Sequence, residues 1–299
     1  MDRPQIIDST PSTTRLGRRS FLVGAAGAVA AGLAACGSGG SDGGADESEI
    51  EPGTFTLAQR FPNSVLVPGE VRLPHSLFRN AEFVNDGPDR LGAQVVDVDG
   101  NPMGERLLAP RFDVTPAAYY VWRPTIEAPG VYALVVDGGP AEGASFQVFD
   151  PETVTVPLVG GVLDGFDTPT VDDSRGVDPV CTRDPICPFH DLTLTEALAD
   201  GRGVAYLVGT PAFCQTGTCA PALEAMITVA DDYADRFVFV HAEVFTDLTA
   251  TTIAPAVDAA SLDYEPAIFI TAPDGEIVDR LDAIWGEQEL RERLTLAQP

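Results

Sequence analysis

The sequence predicts an α/β class, with an alternating strand-and-helix domain at the C-terminus preceded by an all-β domain. Three observations predict it. Residues 54–150 hold short apolar or alternating runs between turn signals, with no sustained helical period. From residue 181 the pattern changes, and apolar runs of strand length alternate with stretches of helical period. Four of the five cysteines fall after residue 180 and none in 54–150, so the β part has to be held by its core alone. A length of 299 residues allows two ordinary domains and a tail. With 44% hydrophobic and 21% charged residues, most of the chain should fold rather than stay disordered.

All 18 basic residues are arginine, against 45 acidic ones, for a net charge of −27. Such a surface repels phosphate backbones, so no nucleic-acid partner is expected. The absence of lysine excludes Schiff-base chemistry and a phosphate-loop lysine.

Residues 1–35 read as an address. Arg18-Arg19-Ser20-Phe21-Leu22 opens an apolar run that ends at Ala35, too short and too weakly apolar to span a bilayer. The run resembles a twin-arginine (Tat) export signal, and Leu33-Ala34-Ala35-Cys36-Gly37 resembles a lipobox. The resemblance implies that Cys36 becomes the lipidated N-terminus, which would anchor the exported chain to the outer face of the cytoplasmic membrane. From Cys36 onward the chain has 14 arginines and 43 acidic residues, a net charge of −29. Residues 36–53, rich in Gly, Ser, Asp and Glu, read as a flexible acidic tether.

Residues 54–150 read as a β-sandwich, immunoglobulin-like by strand number and spacing. Turn sequences such as Asp99-Gly100-Asn101-Pro102 and Asp137-Gly138-Gly139-Pro140 punctuate the strands. Trp122 and Tyr132 are core candidates, and His75 reads as a loop residue. Residues 151–180, rich in Pro, Gly and Asp, read as a linker with one strand, in the apolar stretch Val154–Leu163, packing on its neighbour.

Residues 181–299 carry the alternating pattern. Thr193-Leu194-Thr195-Glu196 is a capping box opening a short helix. Strand 204–208 follows, then a helix in which Leu223, Met226, Ile227, Ala230 and Tyr233 share a face behind Pro221. Strand 237–245, a helix at 253–261, strands 266–271 and 276–282 about Pro273-Asp274-Gly275, and helix 287–296 complete the order.

Cys214-Gln215-Thr216-Gly217-Thr218-Cys219 lies at the first strand-to-helix junction, and Glu265-Pro266 opens a later strand. That arrangement resembles the thioredoxin family over roughly the last 110 residues. The resemblance implies a redox pair in which Cys214 is the nucleophile and Cys219 the resolving thiol. It also implies a cis-Pro266 that, with Glu265, lines the groove for a partner's backbone. A thiol before a helix N-terminus is stabilised as thiolate by unpaired N–H groups, and thiolate is the attacking species. The spacing departs from the family: four residues rather than two separate the cysteines. On a continuous helix, five positions would hold the Cα atoms about 8–9 Å apart, beyond the ~4.4–6.8 Å that a disulfide spans. Cys214 must therefore lie in a loop, with Gly217 turning the chain back. Strand 204–208 carries no acid, so Glu265 is the candidate base.

Cys181 and Cys187 bracket a loop stiffened by Pro185, and read as a structural disulfide. His190 and His241 raise the comparison with Sco-type copper chaperones, which use two Cys and a distant His. His241 falls mid-strand in this reading, and no metal or other cofactor is expected. The expected activity is thiol–disulfide exchange with exported client or redox-partner proteins. The alternatives are a non-enzymatic binding lipoprotein with two structural disulfides, and a copper chaperone.

Overall fold

The computed structural model describes residues 50–297. The expected signal segment, Cys36 and nearly all of the tether lie outside the described residues. Ten strands precede residue 149: β1 (Thr56–Gln59), β2 (Gly69–Glu70), β3 (Leu73–Arg79), β4 (Glu82–Phe83), β5 (Arg90–Val96), β6 (Pro102–Phe112), β7 (Tyr119–Trp122), β8 (Thr125–Ile126), β9 (Gly130–Val136) and β10 (Ala144–Val148). Eight of them form one sheet in the order β1-β3-β7-β6-β5-β9-β10, with β4 beside β3, while β2 and β8 make a separate ribbon.

The sheet is nearly closed and barrel-like rather than two packed leaves. Eleven-residue β6 is the reason. It pairs with β5 at 102–103 and 107–110, across a register shift between Ala93 and Val95, and with β7 at Arg111 and Phe112, so one strand belongs to both ladders. Leu73, Leu77, Leu91, Trp122 and Leu134 fill the interior. The Trp122 indole N–H donates to the Leu91 carbonyl at 3.1 Å. Tyr132 packs against this core while part of it stays exposed. His75 is a buried residue of β3, not a loop residue.

The later elements are α1 (Leu194–Leu198), β11 (Gly203–Val208), α2 (Cys219–Tyr233), β12 (Phe237–Ala242), α3 (Pro255–Ala259), β13 (Ala267–Thr271), β14 (Ile277–Asp282) and α4 (Glu287–Leu296). The capping box at Thr193 and Glu196 is made in both directions, and α4 has the bounds read from the sequence. The strand order is β12-β11-β13-β14. β11 runs parallel to β12 and antiparallel to β13, and β13 runs antiparallel to β14. Alternation sorts the side chains of β11. Val204, Tyr206 and Val208 join the cluster shared with α1, α3 and the barrel-like sheet. Ala205 and Leu207 join the cluster under α2 and α4.

The expected α/β, thioredoxin-like class is corrected by the balance of structure. The chain is mostly β, with 32% strand against 15% helix. The short helix expected behind the capping box forms over Leu194–Leu198, while the helix expected at 253–261 is reduced to Pro255–Ala259, little more than one turn. The immunoglobulin-like sandwich is corrected too, because β6 makes its two leaves continuous.

Residues 154–193 are largely irregular but not detached, and the strand expected in Val154–Leu163 is reduced to a single bridge between Val162 and Glu276. Val156 and Leu163 are buried, and Gly160 N–H donates to the Ile277 carbonyl at 2.8 Å. The seam between the two halves is closed by charge as well. Arg72 reaches Glu289 through two N–H groups at 2.8 and 2.7 Å. Arg123 and the Tyr119 hydroxyl donate to the same carboxylate at 2.8 and 2.7 Å. Arg72 also donates to the carbonyls of Asp282 and Ile284.

Candidate functional site

β11 ends at Val208, and the chain makes a loop before α2 starts at Cys219. Cys214 lies in that loop. Gly217 N–H bonds back to the Cys214 carbonyl at 3.1 Å, and Gly217 has φ +69°, the left-handed conformation that glycine adopts freely. This reversal brings Cys214 Sγ to the helix end, where the Cys219 N–H donates to it at 3.4 Å. Thr216 Oγ1 stands 3.2 Å from the same sulfur. Cys214 is partly exposed and Cys219 is buried, both as free thiols.

The Glu265–Pro266 peptide bond is cis. Glu265 Oε2 accepts from Cys219 Sγ at 3.3 Å and from the Thr210 N–H at 3.1 Å. Ligand atoms of Cys214, Cys219 and Glu265 all lie within 4.8 Å of one another. Gly209 makes room for them. A Cβ there would stand 3.3 Å from Pro266 Cβ and 3.6 Å from Cys219 Sγ. The four residues predicted for catalysis and partner docking thus meet at one point.

Their protons are held unequally. Hydrogen bonding from Cys219 outweighs burial and, with Thr216 and the helix-end N–H groups, brings the Cys214 thiol down to about 4. Burial pushes the Cys219 thiol far up, reinforced by its bond to Cys214 and by the Glu265 charge. Burial also lifts Glu265 to about 7, with the Cys214 charge adding to it. Cys219 has one proton and two acceptors in reach, the Cys214 sulfur and the Glu265 carboxylate.

Two neighbours from the barrel-like half escape any reading of the cysteine motif. Arg60 follows β1, and a charge on Cys214 raises its pKa, although burial is the stronger influence and lowers it. Pro116 sits against the position a Cβ of Gly217 would occupy, at 4.0 Å. No local signal identifies either, since Pro116 lies about a hundred residues before Cys214 and Arg60 about a hundred and fifty.

The expected Cys181–Cys187 disulfide is not formed: both are free, buried thiols. His241 is not mid-strand. β12 stops at Ala242, and the parallel register sets His241 beside Leu207, at the end of the sheet from which the cysteine loops emerge. It joins Cys181, Cys187 and His190 rather than Cys214 and Cys219. A set of two cysteines and a histidine around Cys214 is therefore not assembled among the described residues. The cleft of about 360 Å³ along the seam lies elsewhere. Its Arg72, Arg123, Arg280 and Arg293 are each ion-paired to acids of the same seam. No helix among the described residues is long and apolar enough to cross a membrane. No protein-family model and no curated protein sequence matches the chain, so its chemistry is read from its own residues.

Proposed function

We propose that the protein is a thiol–disulfide oxidoreductase whose working pair is Cys214 and Cys219. The observation that carries the reading is the asymmetry of the pair: a partly exposed sulfur held as thiolate beside a buried thiol that faces a carboxylate. The Cys214 thiolate attacks one sulfur of a client disulfide. A Cys214–client S–S bond forms, the client S–S bond breaks, and the client's second sulfur leaves as thiolate. Cys219 then gives its proton to Glu265 and attacks the Cys214 sulfur. This forms the Cys214–Cys219 disulfide and expels the client's first sulfur. The client gains two electrons and the pair loses two; run backwards, the same steps oxidise a client dithiol. Placement outside the cytoplasm, with clients among exported proteins, is part of the proposal. It rests on the Tat-like segment and the lipobox-like Cys36.

Alkylation tests the first step. The rate of Cys214 modification against pH is expected to rise with a midpoint near 4, the value set by its hydrogen bonds. Thr216→Val removes one of those bonds and should move the midpoint upward. A midpoint near 9 in the unaltered protein would refute the reading. The second step has its own signature. Breakdown of a preformed Cys214 mixed disulfide should accelerate as Glu265 deprotonates, with an inflection below the value of about 7 that Glu265 has beside the charged thiolate, because Cys214 carries no charge in the mixed disulfide. Glu265→Gln should abolish that inflection and slow breakdown, while leaving the alkylation rate of Cys214 within a few-fold of its original value.

A further inference from the structure

Across Gly209 from the Cys214 pair, and sharing no ligand with it, four other side chains of metal-ligand chemistry converge in the interior. Cys181, Cys187, His190 and His241 are each at most 5% exposed, and their ligand atoms lie within 4.8 Å of one another. Three come from the loop before α1, spaced Cys-x5-Cys-x2-His, and the fourth from the end of β12.

The ring of His241 is oriented by the protein. Its Nε2–H donates to the Gly209 carbonyl at 2.9 Å, which leaves Nδ1 as the bare nitrogen. Around Nδ1 stand His190 Nε2 at 3.1 Å, Cys187 Sγ at 3.4 Å and Cys181 Sγ at 3.7 Å. One ring lone pair accepts one good hydrogen bond, so three polar atoms gathered around it exceed what hydrogen bonding needs. A tetrahedral centre accounts for the crowding. With metal–nitrogen bonds of about 2.0–2.1 Å and metal–sulfur bonds of about 2.3 Å, its ligand atoms stand about 3.4 Å (N to N) and about 3.6 Å (N to S) apart. The observed separations match these to within about 0.3 Å.

We propose that Cys181, Cys187, His190 and His241 form a closed centre for a zinc-class divalent cation. Two thiolates balance the cation's charge and two neutral imidazoles complete the shell, so the buried assembly carries no net charge. Both thiols give up their protons on binding. The sulfur–imidazole donor set and tetrahedral spacing suit zinc over hard oxygen-seeking cations. The Gly209 carbonyl on His241 is the outer contact that fixes a ligating imidazole. Once His190 binds through Nε2, its proton moves to Nδ1, which is buried without a partner. One unpaired N–H is the cost set against four metal–ligand bonds. All four ligands are buried, leaving no open position for substrate, so the centre is structural and clamps the Cys181 loop to the sheet.

The test uses the full-length chain carrying Cys214→Ser and Cys219→Ser, so that the proposed redox site supplies no sulfur. It is reduced and titrated anaerobically with Co²⁺ and then Zn²⁺. Expected is one equivalent of cobalt with tetrahedral visible bands and thiolate-to-cobalt charge transfer, displaced by one equivalent of zinc. Cys187→Ser and His190→Ala should each weaken binding by more than about 100-fold, since loss of an outer-shell contact alone costs 10–100-fold. Where a variant fails to fold, alkylation mapping of the parent decides: one equivalent of zinc should protect Cys181 and Cys187. Octahedral cobalt, no stoichiometric uptake by the folded parent, or unprotected thiols would overturn the proposal.

Discussion

Glu289→Ala is expected to destabilise the protein by about 3–5 kcal/mol, the usual cost of removing one partner from a buried charge pair. Glu289 is 1% exposed and accepts from Arg72, Arg123 and Tyr119. Without the carboxylate, Arg72 is a buried cation whose remaining contacts are backbone carbonyls. The exposed Arg291–Glu287 pair is the internal control, and Glu287→Ala should cost under about 1 kcal/mol. Acidity should reproduce part of the loss. Burial alone would raise the Glu289 carboxyl, but Arg72 and then Arg123 overcome it and hold it at about 2, below its ordinary 4.5. A carboxyl lowered in the folded state stabilises fully above its unfolded pKa, and that stabilisation drains as the pH falls through the folded one. Unfolding free energy should therefore decline from about pH 4.5 down through about 2, and Glu289→Gln should flatten that decline. Urea titrations from pH 2 to 7 measure both. Equal losses for Glu289→Ala and Glu287→Ala would remove Glu289 from its keystone role. Replacing Arg72 and Glu289 together by apolar residues should cost less than either single change, because desolvation of the pair is then avoided.

Cys214→Ser should reduce disulfide exchange on a model substrate such as insulin to the uncatalysed rate. Serine keeps the shape and loses the thiolate. Cys219→Ser should instead leave the attack intact and stop resolution, so a client disulfide-linked to Cys214 accumulates and is released by dithiothreitol. The two outcomes differ in kind, and a non-reducing gel with peptide mapping separates them. If neither substitution alters exchange, Cys214 and Cys219 are not the working pair.

How much of this was legible from the chain varies with the physics involved. The turns, the α1 capping box, α4 and the reversal at Gly217 that returns Cys214 to the helix end were legible because they are local. The class was misjudged because the helix expected at 253–261 shrinks to Pro255–Ala259, and because closure of the first sheet rests on β6 pairing with both β5 and β7, which no local pattern shows. Glu265 and Pro266 were placed only through the thioredoxin resemblance, since nothing in the sequence around them points to the cysteines. The His241 assignment failed on register: the apolar run 237–245 does not reveal that pairing ends at Ala242. Cys181 and Cys187 suggested each other as partners because two nearby cysteines do, whereas the imidazole that completes their cluster is more than fifty residues away. The Arg72–Glu289 contact joins positions 217 residues apart, and no sequence period carries such information.

The Arg72–Glu289 knot has a consequence for how the protein comes apart. Because the last helix hands its only fully buried carboxylate to two arginines of the other half, neither half retains a satisfied interior alone. Opening the seam strands an anion on one side and a cation on the other. Melting should therefore be a single cooperative event, with no partly open species in which the cysteine half survives by itself. The chain would then offer proteases and stray oxidants either the whole fold or none of it.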